Sequence, residues 1–583
     1  MSIFNSIPLP KLKRSKFNLS HDVKLTCNMG TLVPVLCQPV LPGDKWDVSM
    51  QFLCRTSPML APVMHRINIY YHTFFVPNRL LWNNWEDFIT QGVNGEKKPV
   101  LPYTTPRDIF LQGKYTVTED SKRVEKYDNS GSLADYLGLP VQMFDFREIT
   151  PDQGTPISLL PFAAYQLIYD EYYKDENLET EEFVPLSDGY TDNSKHISQY
   201  LSLRSRCWRK DYFAGALPWP QRLADSEVSL PIAGNADIKK VDQFSSNVGS
   251  LLISEIGAPP LSIEIDGSGF LKAKGYGGSR VDAGIDLNQL LSSDQIAKLK
   301  SDLSTGNSVT INQLREAVRL QMWLENNARG GSRYIEQLMA HFGVQSSDAR
   351  LQRPEYLGGY SSDLNISEVL QTSESTENSP QGKQTGHGFS IAGSGSHKKY
   401  FEEHGYIMTI MSIRPQNSYM QGIPKDFSKT DNLDFYFPEF QHLGEQEVKE
   451  KEIYYIKEGT QTKPVTVSNE DTFGYVPRYA EYKTIPNRVC GDFRDSMDYY
   501  HLARKFDTAP TLSSQFMHVE ELSWRPRGSG SSTDNPVQEN LARIFASFYD
   551  PANKKVYQHY WFDIGFDISC SRKMSKYGIP KLI

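Results

Sequence analysis

The chain has 583 residues, of which 39% are hydrophobic and 23% charged, so it can bury a core and is not wholly disordered. Its formal net charge of −8 argues against a protein whose whole surface binds nucleic acid. We find no secretory leader and no apolar run of roughly 18 residues that could span a bilayer. The sequence therefore predicts a soluble protein, made in the cytoplasm, with no membrane insertion.

Basic residues concentrate at the two ends of the chain. Lys11, Lys13, Arg14 and Lys16 lie near the start, and Arg572, Lys573, Lys576 and Lys581 near the end. Two interpretations are open. The ends are solvated tails, or both ends face a polyanion while the outer surface stays acidic.

Apolar and polar residues alternate with a period of two in several segments, the pattern of a half-buried antiparallel strand. These segments are residues 45–55, 65–77 and 556–571, with 405–415 and 475–485 as further candidates. Because strands so far apart in the chain must pair, the pattern predicts a sandwich or barrel with large inserted loops.

Four segments mix aromatic, proline, glycine and arginine residues: 209–222, 349–360, 435–448 and 473–494. Tyr, Trp and Arg dominate buried interfaces, so these segments are either turns packed on the core or contacts between subunits. The first, "RKDYFAGALPWPQR", has prolines that restrict its backbone and predicts a rigid joint. The candidate joint or interface residues are Tyr212, Phe213, Trp219, Arg222, Arg353 and Tyr356.

Residues 226–308 are rich in glycine and serine and predict a semi-independent insertion. A helix is predicted next, because Thr310 and Gln313 form a capping-box pattern and Gly330–Gly331 end the apolar periodicity. A shorter helix is predicted over 334–343.

No group of residues predicts catalysis. The glycine-rich "GYGGSR" has Arg280 where a phosphate-binding loop needs its third glycine, and no GxxxxGK[ST] stretch occurs. The six cysteines form no CxxC pair and have no histidine at metal-ligand spacing. We expect no enzyme activity, no cofactor and no metal. Abundant carboxylates leave one alternative open, a carbohydrate-active or carbohydrate-binding β-sandwich protein.

Several long segments, in order from about residue 17 to residue 550, resemble blocks of the major capsid proteins of microviruses (Microviridae), in the gokushovirus-like branch. They include "FFVPNRLLWNNW", "KDYFAGALPWPQR", "HFGVQSSDARLQRPEYLGG" and "FGYVPRYAEYKTIPNRVCGDFR". The resemblance covers nearly the whole chain.

The resemblance implies an all-β core, a single eight-stranded antiparallel viral jelly roll with long, partly helical loop insertions. It implies a structural protein that self-assembles into a small T=1 icosahedral shell, the virion of a bacteriophage, assembled in the host cytoplasm. We expect a basic N-terminal arm at 1–20 and a jelly-roll core at 21–225 and 309–583. The insertion 226–308 is expected to form a surface protrusion at the threefold axes and to bind a host receptor.

The resemblance also implies three kinds of partner. They are further copies of the chain, a circular single-stranded DNA genome, and a small basic internal protein that binds or packages the DNA. The residues expected to face the DNA are Lys11, Lys13, Arg14, Lys16, Arg572, Lys573 and Lys576.

Overall fold

The structure is a computed structural model that describes residues 13–90, 96–111, 114–119, 122–127, 129–140, 155–191, 197–221, 250–253, 261–265, 271–274, 317–322, 325, 352–370, 384–457, 467–521, 541–545, 549–550, 555–556 and 558–577. The chain divides into two compact units, one formed by Met1–Arg222 with Glu325–Ile583 and the other by Leu223–Leu324. None of the helices in the described ranges is long and apolar enough to cross a membrane.

Strands dominate the described residues. In chain order they are β1 Ser15–Asn18, β2 His21–Cys27, β3 Val33–Val40, β4 Lys45–Thr56, β5 Ile67–Pro77, β6 Tyr103–Thr104, β7 Lys114–Glu119, β8 Lys122–Tyr127, β9 Ile157–Ser158, β10 Ser250–Ile253, β11 Leu261–Ile265, β12 Leu271–Lys274, β13 Glu355–Asp363, β14 Asn365–Leu370, β15 Gln384–Gly393, β16 His397–Tyr400, β17 Gly405–Pro415, β18 Glu445–Lys449, β19 Thr472–Pro477, β20 Tyr549–Asp550, β21 Lys555–Val556 and β22 Tyr560–Arg572.

The helices are short with one exception. They are α1 Asn78–Leu81, α2 Trp85–Thr90, α3 Pro106–Leu111, α4 Leu133–Tyr136, α5 Leu160–Tyr172, α6 Ile197–Leu201, α7 Glu450–Ile453 and α8 Ser514–Met517. Residues 317–322 are also helical, inside the longer helix predicted to follow Thr310. The predicted helix over 334–343 lies outside the described residues.

Two antiparallel sheets organise the larger unit. The first has seven strands in the order β1–β22–β4–β15–β14, with β2 also paired to β22 and β16 to β4. The second has four strands in the order β13–β5–β17–β3. The prediction of an all-β core is confirmed.

The main core lies between these two sheets. Alternate residues of β4 and β22 point into it, including Phe52 and Phe562, and β5 contributes Ile69 and Tyr71 from the other side. The Phe52 and Tyr71 rings meet across the core with centroids 4.9 Å apart. The alternation predicted for 45–55 is confirmed, and that predicted for 556–571 is confirmed from Tyr560 onward, where β22 begins. Residues 405–415 form a strand with the predicted bounds.

The half-buried strand predicted for 65–77 is confirmed at its start, where Ile67, Ile69 and Tyr71 are buried and alternate with partly exposed residues, whereas both faces of β5 are buried from residue 73 onward. The four-stranded sheet is therefore covered on a second face in this part. Its second face packs on the thirteen-residue helix α5, and Phe74, Val76 and Met408 belong to this second core. Tyr165 of the helix donates a hydrogen bond to the Leu32 carbonyl at 2.8 Å. The sequence did not reveal α5, because a helix buried on most sides has no polar stripe to show its period.

The strand predicted over 475–485 is wrong in its second half. Strand β19 ends at Pro477, and Tyr479 takes a left-handed conformation with φ of 61°. The Tyr479 amide donates to the Gln446 side chain, and a 3-10 turn follows over Ala480–Tyr482. This conformation ends the strand because side chains other than glycine rarely continue a sheet through it.

The smaller unit contains the three-stranded antiparallel sheet β10–β11–β12. It covers Leu223–Leu324, close to the insertion predicted at 226–308. The domain boundaries and the surface role of the insertion stay predictions.

Phe52→Ala should lower the free energy of unfolding by about 3–5 kcal/mol, because it removes a buried ring from the contact between the sheets. Denaturant unfolding of the unassembled chain measures this. Ile391→Ala is the control, since Ile391 is exposed on β15 and its loss should cost less than about 0.5 kcal/mol. Equal effects of the two substitutions would contradict the assigned core.

Candidate assembly and DNA-binding surfaces

The segment 209–221 is held by one carboxylate. Asp211 Oδ1 accepts hydrogen bonds from the amides of Phe213 and Ala214 at 3.0 and 2.8 Å. Its Oδ2 accepts from Asn417 Nδ2 at 2.7 Å and from the Tyr419 hydroxyl at 3.0 Å. These bonds tie the segment to the loop that follows β17.

The aromatic pair of this segment is buried by its own chain. The Tyr212 hydroxyl donates to Glu452 Oε2 at 2.8 Å, and the Phe213 ring lies 4.7 Å from that of Tyr419. Both side chains belong to the main core, which favours the rigid joint over a contact between subunits. Trp219 is half-buried, and Arg222 lies outside the described residues.

Arg353 and Tyr356 pack near the end of α5. The Arg353 guanidinium lies 4.7 Å over the Tyr172 ring and 3.9 Å from Glu171. The Tyr356 ring packs against Phe74 and is 43% exposed. Arg353 therefore already has partners within the chain, while Tyr356 presents an accessible ring.

A larger group of exposed apolar side chains lies elsewhere, and we call it the aromatic surface. Its members come from the segments after β17 and β19: Phe427, Leu433, Phe435, Tyr436, Phe437, Leu443, Tyr482 and Ile485.

The two segments of the aromatic surface are in contact. Tyr436 packs on Tyr479 with ring centroids 4.9 Å apart. The Lys429 ammonium lies 4.0 Å over the Tyr482 ring and contacts Asp426 at 2.7 Å. Phe427 and Ile485 line one recess of about 370 Å³. A contiguous apolar surface of this kind marks an interaction site.

Local hydrogen bonds let this segment expose its rings. Three 3-10 turns, Lys425–Ser428, Asn432–Asp434 and Pro438–Phe440, replace regular strands. The amides of Thr430 and Asp431 both donate to Asp434 at 2.9 Å and lower the pKa of its carboxyl. Backbone groups are thus satisfied without a sheet, and the side chains are left outside it.

The fold brings the two basic ends of the chain together. Strand β1 pairs with the end of β22, so that Ser15 lies opposite Arg572 and Lys16 opposite Ser571. Arg14 donates to the Ser571 carbonyl at 3.3 Å. Lys13, Lys16, Lys573 and Lys576 are exposed, and Lys11 lies outside the described residues.

Arg572 differs from its neighbours because its charge is neutralised within the fold. Its Nη2 lies 2.7 Å from Oδ2 of Asp44, which has no exposed surface, and its Nε donates to both carboxylate oxygens. Hydrogen bonding to Asp44 raises the pKa of Arg572. The charge of Arg572 therefore already has a partner in Asp44 and does not need a DNA phosphate. The DNA-facing role of the basic ends stays a prediction.

Comparison with known proteins decides the family. The capsid protein (F protein) family is matched by residues 5–523. Capsid protein VP1 of Chlamydia phage 1 is 33% identical over 99% of this chain and 97% of its own length. Capsid protein VP1 of Bdellovibrio phage phiMH2K is 34% identical over the same shares, and that of Spiroplasma virus 4 is 29% identical over 93% of this chain and 94% of its own.

The chain belongs to the capsid protein (F protein) family. The predicted resemblance to gokushovirus capsid proteins is confirmed. The chain is therefore a structural major capsid protein, a virion component that assembles with other capsid subunits.

Sequence reasoning found part of this capsid protein's candidate surfaces. It singled out 435–448 and 473–494 as interface segments but chose no residue from them, not even Ile485, and it missed Phe427, which lies outside both segments. The available signal was the segment "DFSKTDNLDFYFPEF" (426–440). Its aromatic residues follow neither strand nor helix periodicity, so they do not fall on one side of a strand or helix that could pack on the core.

Arg572→Met should destabilise the unassembled capsid protein by about 3 kcal/mol, because it leaves the Asp44 carboxylate buried without its cation. Lys573→Met, a neighbouring exposed charge, should change stability by less than about 0.5 kcal/mol. Chemical denaturation of both variants distinguishes the structural cation from the exposed one. Similar changes in the free energy of unfolding for the two variants would show that the ion pair between Arg572 and Asp44 does not stabilise the fold.

Glu450→Gln should stabilise the capsid protein at alkaline pH. Burial, with a smaller effect of Asp471, raises the pKa of the Glu450 carboxyl to about 7. A raised carboxyl pKa means that this group favours folding below its unfolded pKa and loses that contribution as pH rises through about 7. The variant should match the parent near pH 5 and exceed it near pH 8 by on the order of 1 kcal/mol, measured by unfolding at both pH values. A gain of the same size at both values would exclude titration of Glu450 as its cause.

Proposed function

We propose that the chain self-assembles into a small T=1 icosahedral shell that encloses a circular single-stranded DNA genome. The aromatic surface is the observation that carries this proposal. Its rings are accessible in the single chain, and aromatic side chains supply large contact areas at low entropic cost. A second copy of the chain is the partner that the family membership favours.

We infer that the two sheets form an eight-stranded viral jelly roll. Taking β2, β3, β4, β5, β13, β15, β17 and β22 in chain order as the eight strands, the first, eighth, third and sixth follow one another across one sheet. The second, seventh, fourth and fifth do so across the other. This interleaving supports the double Greek-key connectivity of a jelly roll.

A closed shell needs contacts between different patches on identical chains, with rotations that close. A contact of typical size buries about 800 Å² on each partner. The aromatic surface offers the apolar centre of such a patch, and Lys429, Asp426 and the neighbouring acids supply its polar border.

The adjacent basic ends support a role in holding DNA. Lys13, Arg14, Lys16, Lys573 and Lys576 place several cations close together on a chain whose net charge is −8. Phosphates are neutralised by such local clusters, while the acidic remainder repels nucleic acid. A small basic internal protein would supply the cations that this chain lacks.

We propose that residues 1–20 form a basic arm, that 21–225 and 309–583 form the jelly-roll core, and that 226–308 form a threefold surface protrusion. The compact unit Leu223–Leu324 supports a separately folded insertion. The insertion would bind the host receptor. Assembly would take place in the host cytoplasm, and the role is structural and not enzymatic.

Ile485→Asp tests the assembly surface. Ile485 is 93% exposed, so a carboxylate there should leave the free chain's stability within about 0.5 kcal/mol. In a contact between copies the same carboxylate would be buried without a partner, and the concentration needed for shell formation should rise at least about tenfold. Co-expression with the other virion proteins, followed by sedimentation and electron microscopy, measures shell yield.

Val100→Asp is the matched control, because Val100 is an exposed aliphatic side chain outside the aromatic surface. It should form shells at the parent concentration. Normal shells from both variants would exclude the aromatic surface as a subunit contact, and absence of uniform shells from the parent chain would overturn the proposed function.

A further inference from the structure

A recess of about 400 Å³ lies where helix α5 ends on the four-stranded sheet. Strands β5 and β17 form its floor, and residues 206–210, the end of α5 and the start of β13 form its walls. Its volume falls in the roughly 300–1,000 Å³ range of small-molecule sites and has room for one nucleotide. We call it the arginine–tyrosine recess.

Two guanidinium groups of this recess have no carboxylate partner within the described part of the chain. Arg206 is only 8% exposed, donates to Ser412 and lies 4.2 Å over the Tyr70 ring. Arg414 donates to the Tyr70 hydroxyl and the Cys207 carbonyl, both at 3.3 Å. Buried cations are ordinarily paired with acids, so the described surroundings of this pair are suited to binding an anion.

The two arginines also repel each other. The pKa of Arg206 is lowered to about 10, mainly by burial and to a smaller extent by the charge of Arg414. A bound anion would relieve this repulsion in a place where water screens it poorly. Arg209 and Lys210 add two cations to the recess, and Lys210 has Asp175 at 3.4 Å as its partner.

Aromatic rings supply the rest of the wall. His72 and Tyr173 stack with centroids 5.9 Å apart, and the Tyr173 hydroxyl lies 2.8 Å from His72 Nδ1. Burial and the two arginines lower the pKa of His72 to about 4, so this ring is neutral near pH 7. Tyr356 completes the wall with a ring that is 43% exposed. Phosphate-binding cations beside accessible rings are the combination that recognises unpaired nucleotides.

We propose that the arginine–tyrosine recess binds one nucleotide of single-stranded DNA, with its phosphate at Arg206 and Arg414 and its base against Tyr356. The proposal rests on the proposed function for the source of the DNA. It adds a defined pocket to the exposed basic ends, and it places Arg209 and Lys210, at the start of the segment 209–221, in the wall of that pocket.

Binding of two probes to the unassembled full-length chain tests the recess. One probe is oligothymidylate of about ten nucleotides, and the other is an abasic strand with the same number of phosphates. Fluorescence anisotropy at several salt concentrations gives the affinity and its salt dependence. Tyr356→Ala should weaken oligothymidylate binding by about 5- to 100-fold and leave the abasic strand unaffected.

Arg414→Gln should weaken the binding of both probes. It should also reduce the magnitude of the slope of log affinity against log salt concentration by about 1. Arg209→Gln removes an exposed cation of the same recess and serves if Arg414→Gln does not fold, as judged by thermal unfolding. Tyr455→Ala and Lys24→Gln are matched controls, since both side chains are exposed and lie outside the recess. Neither control substitution should change the difference in affinity between oligothymidylate and the abasic strand.

An equal loss of affinity for both probes in Tyr356→Ala would overturn base recognition. So would a competition experiment in which inorganic phosphate displaces the oligonucleotide at the same concentration as thymidine monophosphate does. Parent-like binding by Arg414→Gln, or by Arg209→Gln where Arg414→Gln does not fold, would overturn the anion site. Shell formation is scored separately on the same preparations. A variant that loses probe binding but still forms shells therefore tests the recess alone. A parent chain that binds the probes but forms no shells contradicts the proposed function alone.

Discussion

Burial of strands β5 and β17 on both faces of the four-stranded sheet is the constraint on which the rest of the larger unit depends. One face meets the seven-stranded sheet through contacts such as Phe52 on Tyr71, and the other is covered by α5. Because both faces are used, β5 and β17 are largely shielded from solvent, whereas the edge strand β13 keeps exposed side chains such as Tyr356. The candidate surfaces accordingly lie mainly at the ends of strands and in the segments that connect them.

Those connecting segments carry two kinds of surface that differ in their chemistry. The aromatic surface follows β17 and β19 and presents rings whose backbone is held by Asp434 and its neighbours. The arginine–tyrosine recess and the basic ends present cations on a chain of net negative charge. Apolar and cationic side chains are thus carried by different segments of the chain.

Sequence patterns predicted the strands of the main core well, because one side of β4 and β22 is solvated and the alternation is visible. They failed where burial is two-sided, as in α5, and where a single backbone conformation ends a strand, as at Tyr479. The recess was beyond sequence reasoning for a different reason. Arg206, Arg414 and Tyr356 come from segments far apart in the chain, and the pairing of β13, β5 and β17 together with the end of α5 brings them to one place.

The position of β22 determines the order in which this chain can fold. It is the last strand to be synthesised, yet it lies between β2 and β4 near the middle of the seven-stranded sheet. Pairs such as His21 with Phe566 span almost the full length of the chain, and contacts so distant in sequence form slowly. The facing edges of β2 and β4 therefore have no partner until translation has passed residue 572. Completion of the subunit fold is therefore tied to completion of its synthesis.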